Sequence, residues 1–186
     1  MNTKDKPTIT ARLVEGHRVA SGLNGNPRFP GGTLRMQFPH FLARGLDLNS
    51  FHLGTLNVSI APLAYRVLQA RHTFTHVKWH PTEPAEDFSF FDVRVGCPDK
   101  SSVDGLIYFP HPDTKPEHFQ QPDVLELLLP FVKGLRYGMT LRLEVPADQM
   151  VFEASAQQNK IGHASRKQGV QPVHECFQAA YRNLLH

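Results

Sequence analysis

Cysteine is scarce in this chain. Two in 186 residues cannot build a disulfide framework, and Cys97 and Cys176 lack the CxxC spacing of a zinc or redox motif. Both are expected as buried thiols. Long apolar runs are missing too: nothing approaches the roughly 18 consecutive apolar residues of a membrane span. Met1-Asn2-Thr3-Lys4-Asp5-Lys6-Pro7 also lacks the apolar core of a secretory signal. The expectation is a cytoplasmic chain with no membrane partner. Charge of one sign is in short supply as well. The net charge is +3, and beyond residue 153 Lys160, Arg166, Lys167 and Arg182 against Glu175 supply that whole excess. The body is therefore neutral, which argues against nucleic acid as a partner, and the basic tail reads as solvated or packed on the domain.

What is present fits a globular protein with one core, or a domain with an appendage: 40% hydrophobic and 20% charged residues. The chain before residue 150 reads as mainly β, in short strands broken by turn residues. Strands are expected at Leu13 to Ala20, Leu56 to Ile60, Phe88 to Val95, Leu106 to Phe109, Val124 to Leu129 and Met139 to Val145. In the third, Phe88, Phe90, Asp92 and Arg94 alternate with Phe91, Val93 and Val95. Gly22 to Gly32 is a loop of Gly, Asn and Pro, and Arg71 to Trp79 is mixed. Phe38 to Leu46 carries a helical stripe with Pro39 in its first turn. Residues 154 to 171 read as a linker, and Val173 to Leu185 as a terminal helix.

Eleven histidines raise the question of a metal. His72, His76 and His80 are spaced by four, but Thr73, Phe74, Thr75, Val77 and Trp79 favour a strand. That interval then describes a solvated face, and no HExxH or Cys/His cluster supports zinc. Glu126 is more conspicuous, standing alone in the apolar run Val124 to Leu129. A carboxylate there needs a partner, whether a structural cation or a ligand.

The segment with the most chemistry is Gly54-Thr55-Leu56-Asn57-Val58-Ser59-Ile60. At strand period Leu56, Val58 and Ile60 point into a core while Thr55, Asn57 and Ser59 share the other face. A hydroxyl and a carboxamide two residues apart are neutral oxygen ligands of a type Mg²⁺ accepts. The same pattern also describes a strand with one solvated face. Gly54, and the upstream Gly22-Leu23-Asn24-Gly25 with Gly31-Gly32, would let backbone approach a ligand closely.

Taken in order, Val19-Ala20-Ser21-Gly22-Leu23-Asn24-Gly25, Gly54-Thr55-Leu56-Asn57-Val58, Asp104-Gly105-Leu106-Ile107, Leu125-Glu126-Leu127 and Leu135-Arg136 resemble the archaeal-type CTP-dependent riboflavin kinases. The resemblance covers residues 12–150, with 151–186 as a basic linker and terminal helix rather than a second domain. It implies a compact six-stranded cradle-loop β-barrel with short peripheral helices. The implied reaction moves the CTP γ-phosphate to riboflavin, giving FMN, with Mg²⁺ as cofactor. It further implies Thr55 and Asn57 as Mg²⁺ ligands, Gly22, Leu23, Gly25, Lys133, Gly134, Leu135 and Arg136 as nucleotide contacts, and Glu126 as the flavin contact. The competing expectation is a non-catalytic barrel that binds a nucleotide, a flavin or another small molecule.

Overall fold

The computed structural model describes residues 7–97, 99–115 and 121–155. The chain divides into two units, 1–155 and 156–186. The second lies outside the described residues, and with it the expected terminal helix, most of the linker and Cys176.

The first unit is mainly β. Its elements are β1 (Thr8–Val14), α1 (Thr33–Leu42), β2 (Leu56–Ser59), β3 (Leu63–Val67), β4 (His72–Val77), β5 (Glu86–Gly96), β6 (Ser102–Pro110), β7 (Val124–Leu128), β8 (Thr140–Glu144) and β9 (Met150–Ala154). Six strands close a ring in the order β5-β6-β7-β2-β1-β8, every neighbour antiparallel, and β8 returns to β5 through Arg94↔Glu144 and Gly96↔Arg142. The eleven-residue β5 makes closure possible. Its first half pairs with β4, His72 opposite Phe90, and its second half with β8.

Alternation then sorts the side chains. Ala11 and Leu13 of β1, Val58 of β2, Phe91, Val93 and Val95 of β5, Ile107 of β6, Leu125 and Leu127 of β7 and Leu141 and Leu143 of β8 fill the interior. Each such burial contributes about 1.5–3 kcal/mol before conformational entropy is subtracted. The opposite face of β5, β6 and β7 is apolar as well. Phe88, Phe90, Leu106, Tyr108 and Leu128 form a second cluster with Leu34 and Phe41 of α1, and Phe41 meets Phe88 and Phe90 edge-on at 5.1 and 5.0 Å. The helix therefore covers one outer wall of the ring.

Four expectations need correction. The first strand is Thr8–Val14, not Leu13 to Ala20: Arg18 has φ 58° and residues 18–24 are turns, while Thr8 to Arg12 pair with β8. The helix is Thr33–Leu42 rather than Phe38 to Leu46, and it carries Pro39 inside rather than in its first turn. His76, at φ 51° in a bulge between Phe74 and Val77, breaks the single face expected for His72, His76 and His80. His72 instead stacks on Phe74 at 5.9 Å, and His80 lies against the Arg28 carbonyl oxygen at 3.0 Å. Cys97 is free and half-buried rather than buried. Only one helix is found among the described residues, and no helix there is long and apolar enough to cross a membrane.

Candidate functional site

The ends of β1 and β7 and the starts of β2 and β8 lie at one end of the ring, because these four strands are antiparallel neighbours. Three loops meet there: the glycine loop after β1, the approach to β2, and residues 129–139 between β7 and β8. Specific contacts tie them together. The His52 N–H donates to the Leu129 carbonyl at 2.8 Å, and the Leu13 and Gly138 backbones bond reciprocally with Met139 and Leu13, each at 2.8 Å. Gly54 packs on Ser21 so closely that a Cβ at Gly54 would lie 3.3 Å from the Ser21 Cβ. Segments 30 or more residues apart in sequence are thereby brought to one place.

Asn57 lies on β2 and Thr55 immediately before it. Leu56, Val58 and Ile60 face the interior cluster, so alternation directs Asn57 to the outer face. There it stands directly opposite Val14 on β1 and Glu126 on β7. Its carboxamide lies against Gly16, where a Cβ would come within 2.7 Å of Cγ and Oδ1. A carboxamide oxygen and a threonine hydroxyl are neutral oxygen donors of a type that a small hard cation accepts alongside waters and substrate oxygens. Among the described residues, no group of three or more His, Cys, Asp or Glu could hold a metal by itself.

Glu126 has an answering charge. Lys115 Nζ lies 3.9 Å from its Oε1, and the two side chains are only 18% and 12% exposed. Tyr108, opposite Glu126 on β6, donates its buried hydroxyl to Gln37 Oε1 at 2.9 Å. Burial, and then the negative charge of Glu126, push the Tyr108 hydroxyl well above its ordinary pKa. The same two causes push Tyr65 up to about 12. Both phenols stay neutral at physiological pH and cannot serve as bases there. Sequence reasoning singled out Glu126 but not Lys115, 11 residues upstream in an irregular connection with no pattern to mark it.

The glycine loop is built around α1. Gly32, at φ 93°, is the residue before the helix, and a Cβ on it would stand 2.3 Å from the Ala20 carbonyl oxygen. The carbonyls of Val19 and Ala20 accept the Thr33 and Leu34 N–H groups at 3.2 and 3.3 Å. Gly22 and Gly25 donate their own N–H groups to Val19 and Gly22 at 3.2 and 3.1 Å. These donors are committed to turns, so the glycines shape the loop rather than offer those N–H groups to phosphate. Leu23 is 59% exposed between them. In the loop after β7, Leu135 packs on the interior cluster while Lys133, Gly134 and Arg136 are exposed. Two cations therefore stand at the same end of the ring as Thr55.

Sequence reasoning did not find a cleft of about 630 Å³ on β5, β6 and β8, bordered by Leu46 and Phe51 after α1. Its wall groups answer one another. Arg71 pairs with Asp92 at 2.7 Å, Arg94 forks onto Asp104 at 2.8 and 3.2 Å, and Gln149 both accepts from the Asp92 N–H and donates to its carboxylate. Arg94 and Asp104 pair across β5 and β6, and Gln149 ties the segment after β8 to β5. Comparison with protein-family models, curated proteins and solved structures finds no match to this chain.

Proposed function

We propose that this chain is a Mg²⁺-dependent phosphotransferase of the CTP-dependent riboflavin kinase type, with a cradle-loop barrel as its scaffold. One observation carries the reading. The glycine loop, the Gly54-Thr55-Leu56-Asn57 strand and the Lys133–Arg136 loop, far apart in sequence, converge at one end of a closed six-stranded ring, with Glu126 directly opposite Asn57.

In this reading Thr55 and Asn57 hold Mg²⁺, which would draw charge from the phosphate oxygens. Lys133 and Arg136 supply cationic charge beside the nucleotide phosphates, and Leu23 and Leu135 with Gly22, Gly25 and Gly134 shape its berth. Glu126, kept in place by Lys115, receives the flavin. A bond forms from the ribityl 5′-oxygen to the γ-phosphorus while the bond to the β-phosphate oxygen breaks, releasing CDP, and the hydroxyl proton leaves to solvent. Such a transfer depends on positioning and charge neutralisation more than on a strong base.

The test is direct. Purified protein with riboflavin, Mg²⁺ and each of the four nucleoside triphosphates should yield FMN with CTP preferred, and absence of FMN with all four would remove the reading. One observation favours the second reading, a barrel that binds nucleotide or flavin without turnover: the Gly22 and Gly25 N–H groups are already bonded within the loop. That reading expects calorimetric binding of nucleotide or flavin with no product.

A further inference from the structure

Exposed large apolar side chains are few among the described residues: Leu23, Leu42, Leu53, Val67, Leu68 and Phe131. Leu23, Leu53 and Phe131 fall in the three loops that meet at the candidate site. Leu23 belongs to the glycine loop, Leu53 precedes Gly54, and Phe131 stands two residues before Lys133. Phe131 is 60% exposed, and its ring meets that of His52 at 6.3 Å and 61°. His52 is held in turn. Its N–H is bonded to the Leu129 carbonyl, and its ring rests 3.3 Å from where a Gly54 Cβ would be. An aromatic side chain left largely in water, on a loop fixed by such contacts and carrying Lys133 and Arg136 a few residues on, offers an open ring face at the end of the ring of strands where the candidate site lies.

We propose that Phe131, braced by His52 and with Leu53 and Leu23 on the two neighbouring loops, is the platform on which the flat heteroaromatic ring of a reactant lies. Two rings share that chemistry, a nucleobase and the isoalloxazine of a flavin. Stacking on an aromatic face tolerates either because each presents a π surface of similar size. The placement suits a ring whose phosphate or ribityl chain reaches inward toward Lys133, Arg136 and Thr55. Burial lowers the pKa of His52, so its imidazole is neutral at pH 7. The platform rests on the phosphotransferase reading for the identity of the two candidate rings.

The experiment uses the full chain. Riboflavin binding is followed by quenching of flavin fluorescence, and CTP binding by calorimetry with Mg²⁺, for the wild type, Phe131→Ala, Phe131→Tyr and Leu23→Ser. Leu42→Ala, an exposed apolar position on α1, is the control. Phe131→Ala should weaken one of the two ligands at least tenfold, about 1.4 kcal/mol, while Phe131→Tyr and Leu42→Ala keep wild-type affinity. Leu23→Ser should weaken the same ligand less. The ligand affected identifies the ring, and affinity for inorganic triphosphate should not move in any variant. Unchanged binding of both ligands in Phe131→Ala overturns the platform, as does a wild type that binds neither. FMN formation insensitive to Phe131→Ala would sink the platform and leave the kinase standing. Ring binding that depends on Phe131 without FMN formation would do the reverse.

Discussion

Gly16 lies against Asn57 so closely that a Cβ at residue 16 would stand 2.7 Å from both Cγ and Oδ1 of the carboxamide. Glycine at residue 16 leaves the space that the carboxamide occupies. Gly16→Ala must therefore displace the Asn57 side chain. The expected result is loss of most Mg²⁺-dependent FMN formation with a melting temperature close to wild type, since the clash falls on a half-buried outer-face side chain. A kinase rate equal to wild type in Gly16→Ala would show that the Asn57 carboxamide is not a metal ligand.

The two faces of β2 should respond differently to truncation. Asn57→Ala and Thr55→Ala are expected to abolish turnover and to leave unfolding by denaturant little changed. Val58→Ala, at a position with no exposed surface, should cost roughly 1–3 kcal/mol through lost packing and leave the Mg²⁺ dependence of the remaining activity intact. Paired stability and activity measurements on the three variants check this, and full activity in both outer-face variants would exclude the metal role.

Legibility in the sequence followed the strength of local alternation. β2, β5 and β8 could be read because their apolar residues recur at period two, and β7 because it is a short apolar run. The two faces of β5 came out as expected, with Phe88 and Phe90 under α1 and Phe91, Val93 and Val95 inside the ring. β3 and β9 could not be read. Leu63–Val67 and Met150–Ala154 pair only with each other, and neither alternates clearly. β1 is the exception: Thr8–Val14 alternates at period two with Ile9, Ala11 and Leu13 buried, yet it lies upstream of the expected Leu13 to Ala20. For the site, the sequence nominated Thr55, Asn57 and Glu126, whereas the Lys115 contact, Gly16 under Asn57 and the His52–Phe131 pair depend on chain crossings that no local pattern encodes.

Glu86 provides a pH test of the wall beneath α1. Its side chain is buried and accepts a hydrogen bond from Trp79 Nε1 at 3.2 Å, and burial raises its pKa above the ordinary 4.5 despite that bond and the nearby Lys115. A carboxyl whose folded pKa is raised binds its proton more tightly in the native state. The stability it contributes is present below the unfolded pKa and is lost as pH rises through the folded value. Glu86→Gln keeps the acceptor for Trp79 without the charge. Denaturant unfolding at several pH values should show the variant gaining on wild type as pH climbs from 4 to 7. A difference that does not change with pH would contradict a raised Glu86.

Gly105 on β6 couples the core to the ligand end of the ring. A Cβ there would fall 2.2 Å from Leu129 Cδ2 and 2.6 Å from the Leu128 carbonyl oxygen. The first atom ends a flexible side chain and the second is backbone, so rotamer change alone cannot relieve the clash. Gly105→Ala should therefore cost about 1–3 kcal/mol by overpacking. Leu129→Ala removes one of the two obstacles and, alone, costs roughly 2–5 kcal/mol as a cavity. The double variant is expected to be more stable than the two losses summed, by about 0.5–3 kcal/mol. Because the Leu129 carbonyl holds the His52 N–H at 2.8 Å, Gly105→Ala should also weaken ring binding at Phe131 while the double variant recovers part of it. Strict additivity in stability would mean that β7 shifts as a unit to admit the methyl group, and that Leu129 does not transmit strain to the site.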